Sequence, residues 1–339
     1  MEKGSGDGKP AFERRKFLKI VAVAGAAGAL YHLQPWELLN KGAVVRESRI
    51  MMGTQINLIV CGPDKESCYE AVDTTLSRMA EVASVLSRHS STSELSVLNQ
   101  TGAVANPSSD LYSVLSLAQD IARMTAGAFD VTILPLLALY DKEHIPEKNT
   151  VRSTLDLVDY TALKVEKDQI AFGKKGMGVT LDGIGKGYAV DQGVEALQQA
   201  GFPNVYVEAG GDLMVTGSKP KQEPWRIGIR NPRPEHPDAM LSFEIKQPMA
   251  VATSGDYMQW FTRDRKHHHI IDPRTGRSPL ELASATVTGP NVVLADGLAT
   301  AAMVLGPEKT LALLETTEQC EGLLFDKELR RYQTSGFTV

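Results

Sequence analysis

Apolar and polar positions alternate along residues 43–60, a stretch rich in Val and Ile, which predicts strands. The period then changes. Cys68, Val72, Leu76, Met79, Ala83 and Leu86 recur at helical spacing, so 64–87 predicts a helix that lays one apolar stripe on a core. A second helix is predicted over 109–125 with Gly127 as its stop, followed by short strands between Tyr160 and Leu181. Residues 187–200 read as a helix with Val190, Val194 and Leu197 on one side and Gly201 beyond its end. Strands are predicted at 204–209, 225–230, 240–246 and 249–253, helices at 293–305 and 307–316, and a terminal hairpin from Gly322 to Gln333. Because helices and strands come in runs, without strict βαβ alternation, the expected class is α+β with a mixed, largely antiparallel sheet core flanked by helices. No long Pro/Ser-rich linker divides residues 43–339, which points to one domain there.

Residues 1–31 follow another pattern. Arg14-Arg15-Lys16-Phe17-Leu18-Lys19 precedes an uncharged run from Ile20 to Leu30, the layout of an export signal. As a helix that run would cover roughly 16 Å, about half a bilayer's hydrocarbon, too little to span it. The paired arginines ahead of Phe-Leu-Lys resemble a twin-arginine signal, so the expected location is the periplasm or the outer face of the cytoplasmic membrane. The first cysteine is Cys61, so no lipoprotein anchor on an N-terminal cysteine is expected. Composition adds exclusions. A net charge of −5 over 339 residues argues against a nucleic-acid partner, which needs a basic face. The 3 cysteines lack C-x-x-C spacing, which argues against a disulfide framework or a structural zinc site.

The connecting segments carry the chemistry. Thr180-Leu181-Asp182-Gly183-Ile184-Gly185-Lys186-Gly187 sets glycines and a lysine at the mouth of a predicted helix. That suits an anionic phosphate: backbone amides can approach closely, and the helix N-terminus and the lysine supply positive charge. A glycine-rich turn without a ligand fits the same residues. The Walker pattern fails, since Thr180 stands at its first glycine and Gly187 at its Ser/Thr. G-x-G-x-x-G fails too, because the third glycine comes one residue early. Asp296 and Thr300 lie four apart on one helical face, where a carboxylate and a hydroxyl suit a hard cation such as Mg²⁺. A helix cap is the other use of Asp296.

Further segments stand in order along the chain. They are Met52-Gly53-Thr54, Ser93-Glu94-Leu95-Ser96 to Asn99, Gly127-Ala128-Phe129-Asp130, Asp182 to Asp191, and Ala209-Gly210-Gly211-Asp212. Trp225 to Pro232, Thr253-Ser254-Gly255-Asp256-Tyr257, His269 to Gly276 and Ala295 to Thr300 complete the set. Together, over about residues 50–306, they resemble the ApbE family of FAD:protein FMN transferases. The resemblance implies an ApbE-like domain that takes FAD as substrate and Mg²⁺ as cofactor. It implies transfer of FMN through its phosphate to a threonine or serine of an acceptor protein, an electron-transfer flavoprotein subunit, with release of AMP. It also implies residue roles. Met52 contacts the flavin, Ala128, Phe129 and Asp130 contact the nucleotide, and Lys186 and Ile270 contact FAD. Asp296 and Thr300 ligate the metal, and Gly183 lends it a backbone carbonyl. Two positions depart from the pattern. Thr180 stands where many relatives have an aspartate, with Asp182 placed to substitute in FAD binding, and His89 stands where some have a tyrosine near the flavin.

The acceptor hydroxyl is a poor nucleophile facing a negatively charged pyrophosphate, so a metal on the phosphate oxygens and a base at the hydroxyl are both useful. His269, with an ordinary pKa near 6.5, suits the base. The alternative is that His269 positions its loop while Asp272 or Asp256 accepts the proton. His267 and His268 are expected to face solvent, and Trp225 and Tyr257 to lie in the core or the pocket wall. A pyrophosphatase cleaving FAD to FMN and AMP with water would use the same site. A non-catalytic flavin carrier would not need the pair Asp296 and Thr300.

Overall fold

The alternation at the start of the domain folds into a hairpin. β1 (Ala43–Met51) and β2 (Thr54–Gly62) pair antiparallel with Met51 opposite Thr54, leaving Met52-Gly53 as a two-residue turn. Both turn residues are left-handed, with φ of 54° and 72°, the backbone that matches the twist of the flanking strands. Glycine takes that conformation freely; Met52 is held in it by the paired strands on either side. The computed structural model describes residues 42–141, 145–233 and 241–338, so the expected export signal lies outside them. No helix among the described residues is long and apolar enough to cross a membrane.

The chain continues with α1 (Lys65–Leu86), α2 (Glu94–Thr101), β3 (Ala103–Ala105), α3 (Ser109–Met124), α4 (Leu134–Leu137) and α5 (Lys148–Leu155). Next come β4 (Leu163–Val165), β5 (Gln169–Phe172), α6 (Gly185–Gln199), β6 (Asn204–Ala209), β7 (Asp212–Thr216), β8 (Trp225–Ile229) and β9 (Leu241–Ile245). β10 (Met249–Gly255), β11 (Leu282–Gly289), α7 (Val292–Leu314), β12 (Glu321–Asp326) and β13 (Arg331–Gln333) complete it. The main sheet has eight strands in the order β1-β2-β6-β7-β10-β11-β12-β13. Every ladder among the described residues is antiparallel, so the expected mixed sheet is antiparallel throughout.

The two faces of the sheet are covered differently. Ile56, Leu58, Val60, Val205, Val207 and Ala250 point to one face, where the apolar stripes of α1, α3, α6 and α7 close the main core. Each such Ile, Leu or Val side chain, fully buried, contributes about 1.5–3 kcal/mol. The opposite face carries Leu213, Val215 and Val251, capped by Trp225, Ile227 and Phe243 of the β8–β9 hairpin. The two helices predicted at the C-terminal end are the two arms of α7, which meet where Gly306 leaves the helical conformation at φ 77° ahead of Pro307. β11 has no counterpart in the predicted strands. All of its residues are buried, so it shows no alternation.

One end of this sheet gathers the features that matter. The Met52-Gly53 turn lies there beside the Gly210-Gly211 turn of β6–β7, whose φ angles of 63° and 105° mirror it. Antiparallel pairing brings the C-terminal end of β10 to the same edge as Asp212.

Candidate active site

The glycine-rich segment after Thr180 feeds directly into α6. Its N-cap residue, Ile184, offers no side-chain acceptor, and the helix backbone comes unusually close to α7. A Cβ on Gly187 would meet the Val292 carbonyl oxygen at 2.6 Å, so only glycine fits there. The close approach has a consequence. The Gly187 N–H donates to Asp296 Oδ2 at 3.1 Å, across the helix interface. Asp191, also on α6, accepts from the N–H groups of Val292 and Val293, each at 2.8 Å, and so clamps the first turn of α7.

Lys186 stands in the middle. Its ammonium pairs with Asp212 and reaches Asp296 Oδ2 at 3.4 Å. Asp212 is the first residue of β7. Its Oδ1 accepts from the Thr253 N–H at 3.2 Å, and the turn before it is held by Glu208, which accepts from the Gly211 N–H at 2.6 Å and from Asn57. Burial alone would depress the Lys186 ammonium, but Asp212 and Asp296 outweigh it and hold it above its ordinary range. Burial, then the charge of Asp212, pushes the Asp296 carboxyl up to about 7. Two formal carboxylates thus face one ammonium in a buried cluster, a deficit of positive charge.

One turn beyond Asp296, Thr300 points at the same space. Its Oγ1 lies 3.1 Å from Ser254 Oγ on β10. Gly183 packs against it, and a Cβ there would sit 3.0 Å from Thr300 Oγ1. Gly183 and Thr300 are therefore neighbours, and Asp296 lies one turn from Thr300 on the same helix. Both hydrogen bonds to Asp296 fall on Oδ2, which leaves Oδ1 without a protein donor among the described residues. A carboxylate oxygen, a hydroxyl and a carbonyl beside uncompensated negative charge fit a hard divalent cation. Among the described residues no group of three or more His, Cys, Asp or Glu is placed to hold a metal ion, so here the carboxylate of Asp296 would act with oxygens of other kinds.

The residues expected around FAD fall into two groups. Phe129 lines the Gly183–Thr300 contact, and Ala128 and Ile270 share one small apolar cluster with Leu282 and Met303, so these distant segments do converge. Met52 packs its side chain against the main core from its strained turn. Asp130 behaves otherwise. Its Oδ1 accepts from Thr132 N–H at 2.8 Å and hydroxyl at 2.6 Å, and its Oδ2 from the Tyr160 N–H at 3.0 Å, so this buried carboxylate fixes a turn. Asp182 is exposed and pairs with Arg88 at 3.0 Å. Thr180, at the departed position, is buried.

His269 is half-buried, and its ring Nδ1 lies 2.9 Å from the Gln259 carbonyl. A carbonyl only accepts, so the proton sits on Nδ1 and the lone pair on Nε2. Burial lowers the imidazole below its ordinary pKa, against the Gln259 bond and Asp182, which favour its cation. Lys186 also lowers it, which places the imidazole within electrostatic reach of the ammonium. The two alternative proton acceptors are engaged elsewhere. Arg274 grips both oxygens of Asp272 at 2.8 and 2.9 Å, and the Gly276 N–H closes the turn onto the Asp272 carbonyl at 2.8 Å. Asp256 is fully buried between Arg233, at 2.8 and 3.0 Å, and Lys327 at 2.5 Å.

The expectation that His267 and His268 face solvent is overturned. His268 is fully buried, with Nε2 3.0 Å from the Pro279 carbonyl, and desolvation pushes its pKa down to about 4. His267 is half-buried. The cause is that 267–269 runs between two neighbours, 259–261 and 278–279, and so forms a middle strip. Trp225 is in the core as expected, 2% exposed. Asp212, Asp191, Glu208 and Ser254 carried no individual role in the sequence. Their spacing to Lys186, Asp296 and Thr300 is set by strand register and helix packing, although each lies in or beside a quoted segment.

The model of the ApbE family matches residues 52–324. An FAD:protein FMN transferase of Haemophilus influenzae is 31% identical over 318 residues, covering 89% of this chain and 85% of its own. One of Vibrio cholerae is 32% identical over 286 residues, covering 79% and 83%. The solved flavin transferase ApbE from Vibrio cholerae superposes with a TM-score of 0.75 at 30% identity, over 87% of this chain and 98% of that one. The ApbE protein from Thermotoga maritima gives a TM-score of 0.78 at 25% identity, over 86% and 97%. With the sequence model spanning most of the domain and the fold matched nearly end to end, this chain belongs to the ApbE family.

Proposed function

We propose that this protein transfers FMN from FAD to a threonine or serine hydroxyl of an acceptor protein and releases AMP. The pair of half-buried Lys186 and buried Asp296, one helical turn before Thr300, carries the reading, because it joins a phosphate-binding cation to a hard-cation donor set. Lys186 would hold the pyrophosphate, with the start of α6, whose N-cap Ile184 has no side-chain acceptor, adding partial positive charge. Asp296, Thr300 and the Gly183 carbonyl would hold Mg²⁺. When bound, that ion would neutralise the phosphate oxygens and stabilise the departing AMP. The acceptor oxygen forms a bond to the FMN phosphorus as the bond from that phosphorus to the AMP oxygen breaks. The hydroxyl proton passes to His269 Nε2, which is already neutral and open. Met52, Ala128, Phe129 and Ile270 would bound the flavin and adenosine pockets.

The test is direct. Incubated with FAD, Mg²⁺ and a folded flavoprotein acceptor, the enzyme should raise the acceptor's intact mass by one FMN phosphoryl group for each AMP released. AMP without any gain in acceptor mass would make the protein a pyrophosphatase instead.

The reading extends to location. The basic and apolar run at residues 14–30 supports export to the periplasm or the outer membrane face, by the twin-arginine route. Arg14→Lys with Arg15→Lys should strand the protein in the cytoplasm. Unchanged export in cell fractionation would assign the signal to the general secretory route.

A further inference from the structure

Hydroxyl side chains inside a helix readily turn back on their own backbone, donating to the carbonyl four residues earlier. This protein follows the habit. Thr74 donates to the Glu70 carbonyl at 2.9 Å, Thr75 to Ala71 at 2.7 Å, Ser116 to Tyr112 at 2.8 Å and Thr154 to Thr150 at 2.9 Å. Thr300, in the middle of α7, departs from it. The carbonyl at that offset belongs to Asp296, and among the described residues the Thr300 hydroxyl makes no bond to it. It meets Ser254 Oγ instead, at 3.1 Å, across the interface with β10.

Ser254 also stands out on its own strand. Ala250 and Ala252 of β10 are fully buried in the main core, and the two-residue period of a strand brings Ser254 to the same side, facing α7. Thr253, on the other side, already shares its hydroxyl with Thr286 of β11 at 2.9 Å. A row of two alanines thus ends in a hydroxyl aimed at Thr300, where a third alanine would offer Thr300 no partner. The glycine-rich loop closes on the same pair. A Cβ on Gly183 would stand 3.0 Å from Thr300 Oγ1 and 3.3 Å from its Cγ2. The Thr300 oxygen is therefore set between a serine hydroxyl and the loop, one turn along α7 from Asp296.

A hydroxyl ligates a cation through a lone pair, so its proton has to point elsewhere, onto an acceptor. Ser254 Oγ is the acceptor in reach. We propose that Ser254 is a positioning residue for the metal: it takes the Thr300 proton, holds that hydroxyl off the α7 backbone and leaves the Thr300 lone pairs for the ion. Ser254 acts through Thr300 and is not itself a ligand. The inference rests on the reading that Asp296, Thr300 and the Gly183 carbonyl hold a divalent cation. Without the Ser254 oxygen the Thr300 hydroxyl would turn back to the Asp296 carbonyl, as Thr75 does to Ala71, and the ion would lose a donor held in place. Partners that orient a ligand in this way are typically worth about 10–100-fold in metal affinity.

The full-length protein, with FAD and without acceptor, would be titrated with Mn²⁺ and the free ion read by electron paramagnetic resonance. Ser254→Ala should bind Mn²⁺ about 10–100-fold more weakly than the parent. Thr300→Val, which loses the hydroxyl itself, should bind it at least as weakly. Ser254→Ala combined with Thr300→Val should match Thr300→Val alone, because Ser254 then has nothing to orient. FAD affinity in metal-free buffer should stay within about two-fold in all three. In FMN transfer, Ser254→Ala should need about ten-fold more Mg²⁺, or beyond, to reach half of its full rate. Excess Mg²⁺ should bring that full rate to within about three-fold of the parent. Unchanged Mn²⁺ affinity in Ser254→Ala, with Thr300→Val impaired, would overturn the proposal and leave the metal reading intact. Losses that multiply in the double variant would do the same, since Ser254 would then act apart from Thr300. A rate that excess Mg²⁺ does not restore would place Ser254 at the substrate and also end the proposal. Parent-like Mn²⁺ affinity in Thr300→Val and Asp296→Asn as well would instead remove the metal reading, and this inference with it.

Discussion

Replacing Asp296 with alanine should lower FMN transfer by about 10³-fold or more, while FAD still binds. The size follows from what the carboxylate does. It is the one formal anion in the expected metal donor set, and both of its hydrogen bonds fall on a single oxygen, so the other is open to a cation. Losing a group that stabilises charge in the transition state typically costs about 10²–10³-fold, and losing the ion itself costs more. FAD affinity should fall only a few-fold, because Lys186 keeps Asp212 as its partner and remains in place for the pyrophosphate.

A second variant separates the metal from the fold. Asp296→Asn keeps the shape and an acceptor for the Gly187 N–H but removes the charge. The folded-state pKa of Asp296 is raised, so the ionised form is disfavoured by folding. That penalty is absent below the ordinary carboxyl pKa and grows as pH rises toward the folded value of about 7. The asparagine variant should therefore melt above the parent in metal-free buffer at pH 7 and higher. It should also bind Mn²⁺ far more weakly by electron paramagnetic resonance. Full activity in Asp296→Ala, or Mn²⁺ affinity unchanged in Asp296→Asn, would remove Asp296 from the metal site.

How much of this was legible in the sequence depends on what each residue touches. α1, α3 and α6 show a single apolar stripe because each lays one face on the sheet, and the period survives in the sequence. β11 left no such trace, since its small and hydroxylated residues are buried on both faces. Asp296 and Thr300 stand out by their spacing and Lys186 by its glycine-rich turn, while the role of Gly183 follows only from the family resemblance; the structure brings them together. Their organisers do not stand out. Asp212 becomes the partner of Lys186 only through the pairing of β6, β7 and β10, a relation between segments far apart in the chain. Asp130 and Asp272 could have been read more closely. Each accepts from the backbone N–H two residues on, the turn-forming habit of aspartate, with Thr132 and Arg274 at that offset in the sequence.

If His269 is the base, His269→Ala should slow single-turnover FMN transfer by about 10²–10⁴-fold and leave FAD and Mg²⁺ affinity near those of the parent. The pH profile carries the sharper test. A base works when neutral, so the parent rate should rise with pH through the pKa of His269 and then level off. Burial sets that pKa below the ordinary imidazole value of about 6.5, against the Gln259 bond and the carboxylates of Asp182 and Asp256. The inflection should thus fall on the acidic side of 6.5, and the enzyme should already be on its plateau at neutral pH. In the alanine variant the inflection should vanish. His268, with a pKa of about 4 and no view of solvent, is one ring away and supplies the control. His268→Asn should keep the inflection where the parent has it, even if the variant is less stable. An inflection that survives in His269→Ala would show that another group takes the proton. Asp272 and Asp256 are poor successors, because Arg274 holds the first and Arg233 with Lys327 the second. A drop in FAD affinity in step with the rate would instead mean that His269 only supports the His269–Gly276 loop. The geometry favours the base, since the Gln259 carbonyl fixes the ring through Nδ1 and leaves Nε2 as the one nitrogen able to accept.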